Sequence, residues 1–119
     1  VLADVGSKSL AEIAGERRRL TERVREGDYS MSTFKGGTFT VSNLGPLGVD
    51  SFTPVINPPE IAILGLGRVT ERTVPGESES RSEMTLDLSF DHRVVDGADA
   101  ARFLGTLDDH LSDAITYVE

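Results

Sequence analysis

Between Met84 and Phe90 the side chains alternate without interruption. Met84, Leu86, Leu88 and Phe90 are apolar, and Thr85, Asp87 and Ser89 between them are polar. A period of two marks a strand with one dry face and one wet face. The chain then passes through Phe90-Asp91-His92-Arg93-Val94-Val95-Asp96-Gly97 into a segment of different period. From Gly97 to Tyr117, the residues Ala101, Leu104, Leu107, Leu111, Ala114 and Ile115 form one apolar stripe, which predicts a helix. The best strand therefore leads through a short junction into the best helix, and the fold needs both kinds of element.

The rest of the chain adds to this pair. Ser9 to Glu26 reads as a helix, with Leu10, Ile13, Ala14, Arg17, Leu20 and Val24 near a 3.6-residue period. Ser9 and Glu12 form a candidate capping box, and Gly27 is a plausible stop. Gly36-Gly37 breaks the chain, and Thr38 to Ser42 alternates as a strand. Asn43 to Pro59 is too rich in Gly and Pro for a helix; it reads as an ordered loop with a short extended piece at Phe52 to Ile56. Ile61 to Val74 is a long strand candidate, apolar on both faces in its first half. Pro75 to Ser80 is a turn, so the strands on either side of it form an antiparallel hairpin. The expected fold is α+β, a mixed or antiparallel sheet with helices on one face.

Composition excludes several functions. The net charge of −8, from 12 basic and 20 acidic residues, argues against nonspecific nucleic-acid binding. The arginines Arg17, Arg18, Arg19, Arg23 and Arg25 lie in the second half of the first helix, where cations suit the dipole, and read as a solvated face. Cysteine is absent, so no disulfide, thiolate zinc site or cysteine nucleophile is expected, and no metal. The apolar stretch from Ile61 to Gly67 is too short to span a bilayer, and the N-terminus has no signal-peptide pattern, so no membrane association is expected.

Two places carry candidate chemistry. His92 follows a strand directly, where rigid elements on both sides hold a side chain in place. A histidine there is either structural or a general base, and geometry decides. Asp96, four residues on and next to Gly97, is equally well explained as a helix N-cap. Ser42 ends the stretch Thr38-Phe39-Thr40-Val41-Ser42 ahead of Asn43-Leu44-Gly45. Its hydroxyl either bonds to the local backbone or donates to an oxyanion.

Taken together, two motifs are far more specific than either alone. GGTFTVSNLGPLGVDSFTPVINPPEIAILGLGRV, followed by LSFDHRVVDGADAARFL, resembles the catalytic domain of the acyltransferase component of 2-oxo acid dehydrogenase complexes. The likeness runs from about Ser9 to about Ala114. Chloramphenicol acetyltransferase belongs to the same wider superfamily. The resemblance implies that His92 takes the proton from an attacking thiol, which is mostly protonated at neutral pH. It implies that the Ser42 hydroxyl donates to the oxyanion of the tetrahedral intermediate. Asp96 would shape the site and orient its neighbours, while Asn43 and Gly45 would shape the loop below the serine. A neutral base on an acidic protein is expected to be locally desolvated. The substrates implied are thioesters and thiols of coenzyme A and of a dihydrolipoyl group, held in one channel that excludes water.

The family's assembly is a homotrimer in which serine and histidine meet across a subunit interface. Such trimers often build a hollow cage; the ending DAITYVE lacks the apolar tail of cage-forming relatives, which favours the trimer alone. The partners implied are the decarboxylase and dihydrolipoamide dehydrogenase components. The compartment is the cytoplasm, or the mitochondrial matrix for a eukaryotic chain, the cytoplasm being favoured. The family's domain is about twice this length, so residues 1–119 read as one partial domain, its C-terminal half. The missing half would supply part of the channel and, by likeness to chloramphenicol acetyltransferase, an arginine partner for Asp96. Lys8 in S-K-S and Lys35 in F-K-G do not match a lipoyl-lysine context, so the lipoyl group arrives from another domain. Acetyl, succinyl and branched-chain acyl enzymes share these motifs. The rival reading is a non-catalytic scaffold with an acyltransferase-like core. A weaker one is transfer to an amine or alcohol, against which the stretch from TVSN to FTPVINPPE argues.

Overall fold

The structure, a computed structural model, describes residues 1–114. Chain contacts divide it into two compact units, Val1–Gly37 with the described residues from Leu107 onward, and Thr38–Thr106.

The first unit is built on helix α1, Leu10–Arg25. Ser9 caps it: its hydroxyl accepts from the Glu12 N–H at 3.2 Å and donates to the Glu12 carboxylate at 3.0 Å. Such a cap contributes about 1 kcal/mol. Gly27 ends the helix region at φ 75°, a left-handed conformation that favours glycine. The Ser9 cap and the Gly27 stop expected from the sequence are present, with the Glu12 carboxylate accepting from the Ser9 hydroxyl in place of the reciprocal backbone bond of a capping box. The residues after it form a short 3-10 turn, Met31–Phe34, that the sequence pattern did not announce. The Phe34 ring meets Tyr29 edge-on at 5.2 Å.

The second unit carries the sheet. Its strands are β1 (Thr40–Asn43), β2 (Ala62–Leu66), β3 (Thr70–Thr73), β4 (Ser80–Glu83) and β5 (Leu86–Phe90). Helix α2, Gly97–Ser112, follows β5. The expected helical residues Ile115 to Tyr117 lie outside the described residues. The main sheet has the order β1-β2-β5, with β1 parallel and β5 antiparallel to β2. It is a mixed sheet, as the α+β reading requires. β2 is the core: Ile63 and Leu64 are each 6% exposed, and Gly65 is buried beside them. Alternation places Leu64, Leu66, Leu86, Leu88 and Phe90 on one face. The start of α2 covers that face, with Ala100 buried and Phe103 against Phe39 at 5.7 Å.

Three expectations need correction. The strand expected at Thr38 to Ser42 lies at Thr40–Asn43, set by pairing with β2. The piece at Phe52 to Ile56 lies in the loop, outside any ladder, as expected, and brings the Phe52 ring against Gly65. The single long strand at Ile61 to Val74 is two strands. The ladder stops at Leu66↔Leu86 and resumes at Thr70↔Glu83, so residues 67–69 face only residues 84–85. One extra residue on one strand is a bulge, which breaks pairing and turns the strand. The cause is the loop before β2. The Arg68 N–H leaves the ladder to donate to the Val49 carbonyl at 2.8 Å, and Arg68 pairs with Asp50. The hairpin around residues 75–80 does form, as β3 with β4. β5 also differs: its polar side is half-buried, because the Asp87 carboxylate accepts from Ser51 Oγ at 2.7 Å and the Phe52 N–H at 3.2 Å.

At the bulge the backbones touch. A Cβ on Gly67 would overlap the Asp50 carbonyl. Gly67→Ala is expected to destabilise the protein by about 3 kcal/mol, at the upper end for overpacking. Gly105→Ala, in α2 with nothing within 4 Å of the added methyl, is expected to stabilise it by about 0.5–1 kcal/mol through helix propensity. Urea unfolding midpoints check both; a neutral Gly67→Ala would refute the close approach.

Candidate active site

Ser42 is the third residue of β1 and pairs with Gly65, which in turn pairs with Asp87. The three share a face of the sheet. Gly65 leaves room for the Phe52 ring; a Cβ there would sit 2.8 Å from Phe52 Cζ. Ser42 is half-buried in this row. Asn43 turns the chain after it, its Oδ1 accepting from the Gly45 N–H at 2.9 Å. Gly45 then passes so close to β2 that a Cβ would stand 2.8 Å from the Gly67 carbonyl. Thr40, on the same face as Ser42, donates to Glu60 at 2.6 Å.

His92 stands on the turn after β5. Asp91 is the anchor of that turn. Its N–H donates to the Ile61 carbonyl at 2.7 Å, and its own carbonyl accepts from Val94 and Val95 at 3.0 and 2.9 Å. Its carboxylate accepts the Arg93 N–H at 3.0 Å, Nε at 3.0 Å and Nη2 at 2.8 Å. These hydrogen bonds from Arg93, with its positive charge, lower the Asp91 pKa from 3.8 to about 2 and raise that of Arg93 in turn. His92 itself is exposed, with its ring 5.6 Å from that of Phe90. The local desolvation expected of it is not found within this chain, because the turn lifts it off the end of the sheet.

Asp96 caps α2: its Oδ1 accepts from the Asp99 N–H at 2.8 Å, and its carbonyl from Ala100 at 3.1 Å. No arginine pairs with it among the described residues. His92 and Asp96 therefore share one rigid connection between β5 and α2.

Ser42 and His92 are not brought together. β1 runs with β2 and β5 runs against it, so the end of β1 and the end of β5 lie at opposite ends of the sheet. Ser42 is level with Asp87, and Phe90 lies three residues further along β5. That separation is about 10 Å along the strands and about 10 Å across two strand spacings, and His92 lies beyond Phe90. Chemically, one end offers an imidazole that can take up a proton, and the other a hydroxyl that can donate a hydrogen bond. Near the His92 end, Phe39, Ile61, Ala62, Leu88, Phe90 and Phe103 are among the residues lining an apolar cavity of about 260 Å³. Among the described residues, no cluster of His, Asp and Glu could hold a metal ion.

The Asp91–Arg93 pair was not anticipated; a carboxylate and a guanidinium flanking His92 at a strand end was the available signal. With its pKa depressed, the stabilisation from ionised Asp91 is fully present above about pH 3.8 and is lost as pH falls through about 2. In Arg93→Gln, the Asp91 carboxyl is expected to titrate higher, part of the way back toward 3.8 because the backbone hydrogen bond stays, read by carboxyl-carbon NMR; an unchanged titration would contradict the pairing.

The family described as 2-oxoacid dehydrogenases acyltransferase (catalytic domain) matches residues 1–118. The dihydrolipoyllysine-residue acetyltransferase component of the pyruvate dehydrogenase complex of Pseudomonas aeruginosa is 42% identical over 118 residues, covering 98% of this chain and 22% of the relative. Among solved structures, Azotobacter vinelandii dihydrolipoamide acetyltransferase superposes with a TM-score of 0.84 at 38% identity, covering 98% of this chain and 49% of that one. That structure accompanies an investigation of a serine, a histidine and an asparagine in its catalytic mechanism. The cubic core of a pyruvate dehydrogenase multienzyme complex matches with a TM-score of 0.84 at 37% identity, covering the same shares. The chain thus spans about half the length of the solved chains and about a fifth of the curated relative. By sequence and by fold, this chain belongs to the 2-oxoacid dehydrogenase acyltransferase (catalytic domain) family.

Proposed function

We propose that this chain is the C-terminal half of a catalytic domain that moves an acyl group between dihydrolipoyl and coenzyme A thiols, within a 2-oxo acid dehydrogenase complex. What supports the reading most is the pairing of family membership with His92 on a rigid turn and Ser42 at a strand end. In this mechanism His92 takes the proton of the attacking thiol. The thiolate sulfur bonds to the thioester carbonyl carbon, and the charge moves to oxygen. The Ser42 hydroxyl donates to that oxyanion, a contribution of about 3 kcal/mol. The intermediate collapses as the old C–S bond breaks, and the imidazolium returns the proton to the leaving sulfur. Asp96 holds the start of α2 and so the far end of the turn that carries His92. In the Azotobacter vinelandii enzyme the asparagine follows the histidine by four residues, as Asp96 follows His92.

The sheet topology bears on assembly. Ser42 and His92 stand at opposite ends of one sheet, which supports a complete site that takes its serine from one copy and its histidine from another. A closed homotrimer provides that contact in head-to-tail fashion. The neighbouring copy would desolvate His92. The decarboxylase and dihydrolipoamide dehydrogenase components are the partners proposed, and the cytoplasm the compartment. Acetyl is the acyl group to test first, because the relatives are named acetyltransferases.

The second reading, a scaffold without turnover, draws on the exposed His92 and the absence of an arginine beside Asp96 among the described residues. One assay separates the two. In the full-length protein, His92→Ala is expected to lower transfer from acetyl-CoA to dihydrolipoamide by about a thousandfold, with the oligomer unchanged by light scattering. Transfer within a few fold of the parent would remove His92 from the mechanism, and no transfer by the parent with any acyl-CoA would favour the scaffold.

A further inference from the structure

We infer that Asp91 and Arg93 are positioning residues that set the direction of the His92 imidazole, an inference that rests on the acyl-transfer reading above. The two residues flank His92 and are tied to each other by three hydrogen bonds, from the backbone N–H, Nε and Nη2 of Arg93 to the Asp91 carboxylate. Asp91 is in turn fixed to the sheet through the Ile61 carbonyl and to the turn through Val94 and Val95. A residue bracketed in this way keeps little backbone freedom, so the two side-chain torsions are most of what His92 retains. The ring of Phe90 lies against one side of the imidazole.

The Arg93 side chain is 89% exposed, whereas that of Asp91 is only 20% exposed. An exposed guanidinium adds little to the stability of the fold. Its planar fork matches a carboxylate in a way a lysine ammonium does not. What the fork does achieve is to close the turn across the base. General-base transfer requires the ring nitrogen within hydrogen-bond reach of the thiol, and a displacement of about 1 Å costs on the order of a hundredfold in rate. The pair therefore acts through His92 and touches no substrate.

The test is a split between kcat and KM in the full-length protein. Arg93→Gln removes the fork while leaving the backbone hydrogen bond in place, and Asp91→Ala removes every carboxylate contact. The expected result is a fall in kcat of about tenfold for Arg93→Gln and about a hundredfold for Asp91→Ala, with KM for coenzyme A unchanged. Arg93→Lys, which keeps the charge without the fork, is expected to fall with Arg93→Gln. If Asp91→Ala fails to assemble, the two Arg93 variants carry the test alone. A kcat within threefold of the parent in Arg93→Gln, or a raised KM at constant kcat, would overturn the inference. His92→Ala assayed alongside separates the two levels: transfer surviving in it refutes the acyl-transfer mechanism itself, whereas a silent His92→Ala beside a fully active Arg93→Gln refutes only the positioning role.

Discussion

Strand β2 hydrogen-bonds to β1 in parallel register and to β5 in antiparallel register. From Ile63 to Leu66 its residues are thereby paired on both sides, and it is where burial concentrates, at Ile63, Leu64 and Gly65. The opposite senses of the two ladders have a chemical consequence. They send the chain end bearing Ser42 out at one end of the sheet and the chain end bearing His92 out at the other. Nothing in the side chains can undo this, because it is fixed by the backbone bonds of the central strand. The candidate site is consequently split by the same ladders that form the core.

Each half is then made rigid locally. At the Ser42 end, the loop after β1 is held where Gly45, Gly67 and Asp50 pass at backbone contact distance, and where Asp87 gathers Ser51 and Phe52. At the His92 end, the Asp91 carboxylate closes the turn and Asp96 caps the helix that follows. Both ends use a carboxylate to satisfy backbone N–H groups beside the candidate side chain. That arrangement keeps the serine and histidine in fixed positions at little cost in buried charge.

The helices and the strand running into His92 were legible in the sequence, because their periods extend over many residues. The Ser9 cap and the Gly27 stop were legible for the same reason: their chemistry is local. The division of residues 61–74 was not legible. It depends on Arg68 turning to Val49, a contact made by a loop that the hydrophobic pattern does not locate. Ser42 and His92 were singled out by their motifs, but their separation follows from strand order and direction, which periodicity does not encode. The half-burial of Asp87 had the same cause, a loop folding onto a face that alternation marks as wet.

The split site is the central claim, and complementation between inactive chains tests it most directly. Full-length Ser42→Ala and His92→Ala proteins, each at about 1% of the parent rate or less alone, would be unfolded together in equal amounts, refolded and assayed for acyl transfer. A site shared between copies predicts recovery of about a quarter of the parent rate, since half the chains offer His92 and half their neighbours offer Ser42. A mixture as silent as its two components would contradict the account and place both residues in a site made by one chain.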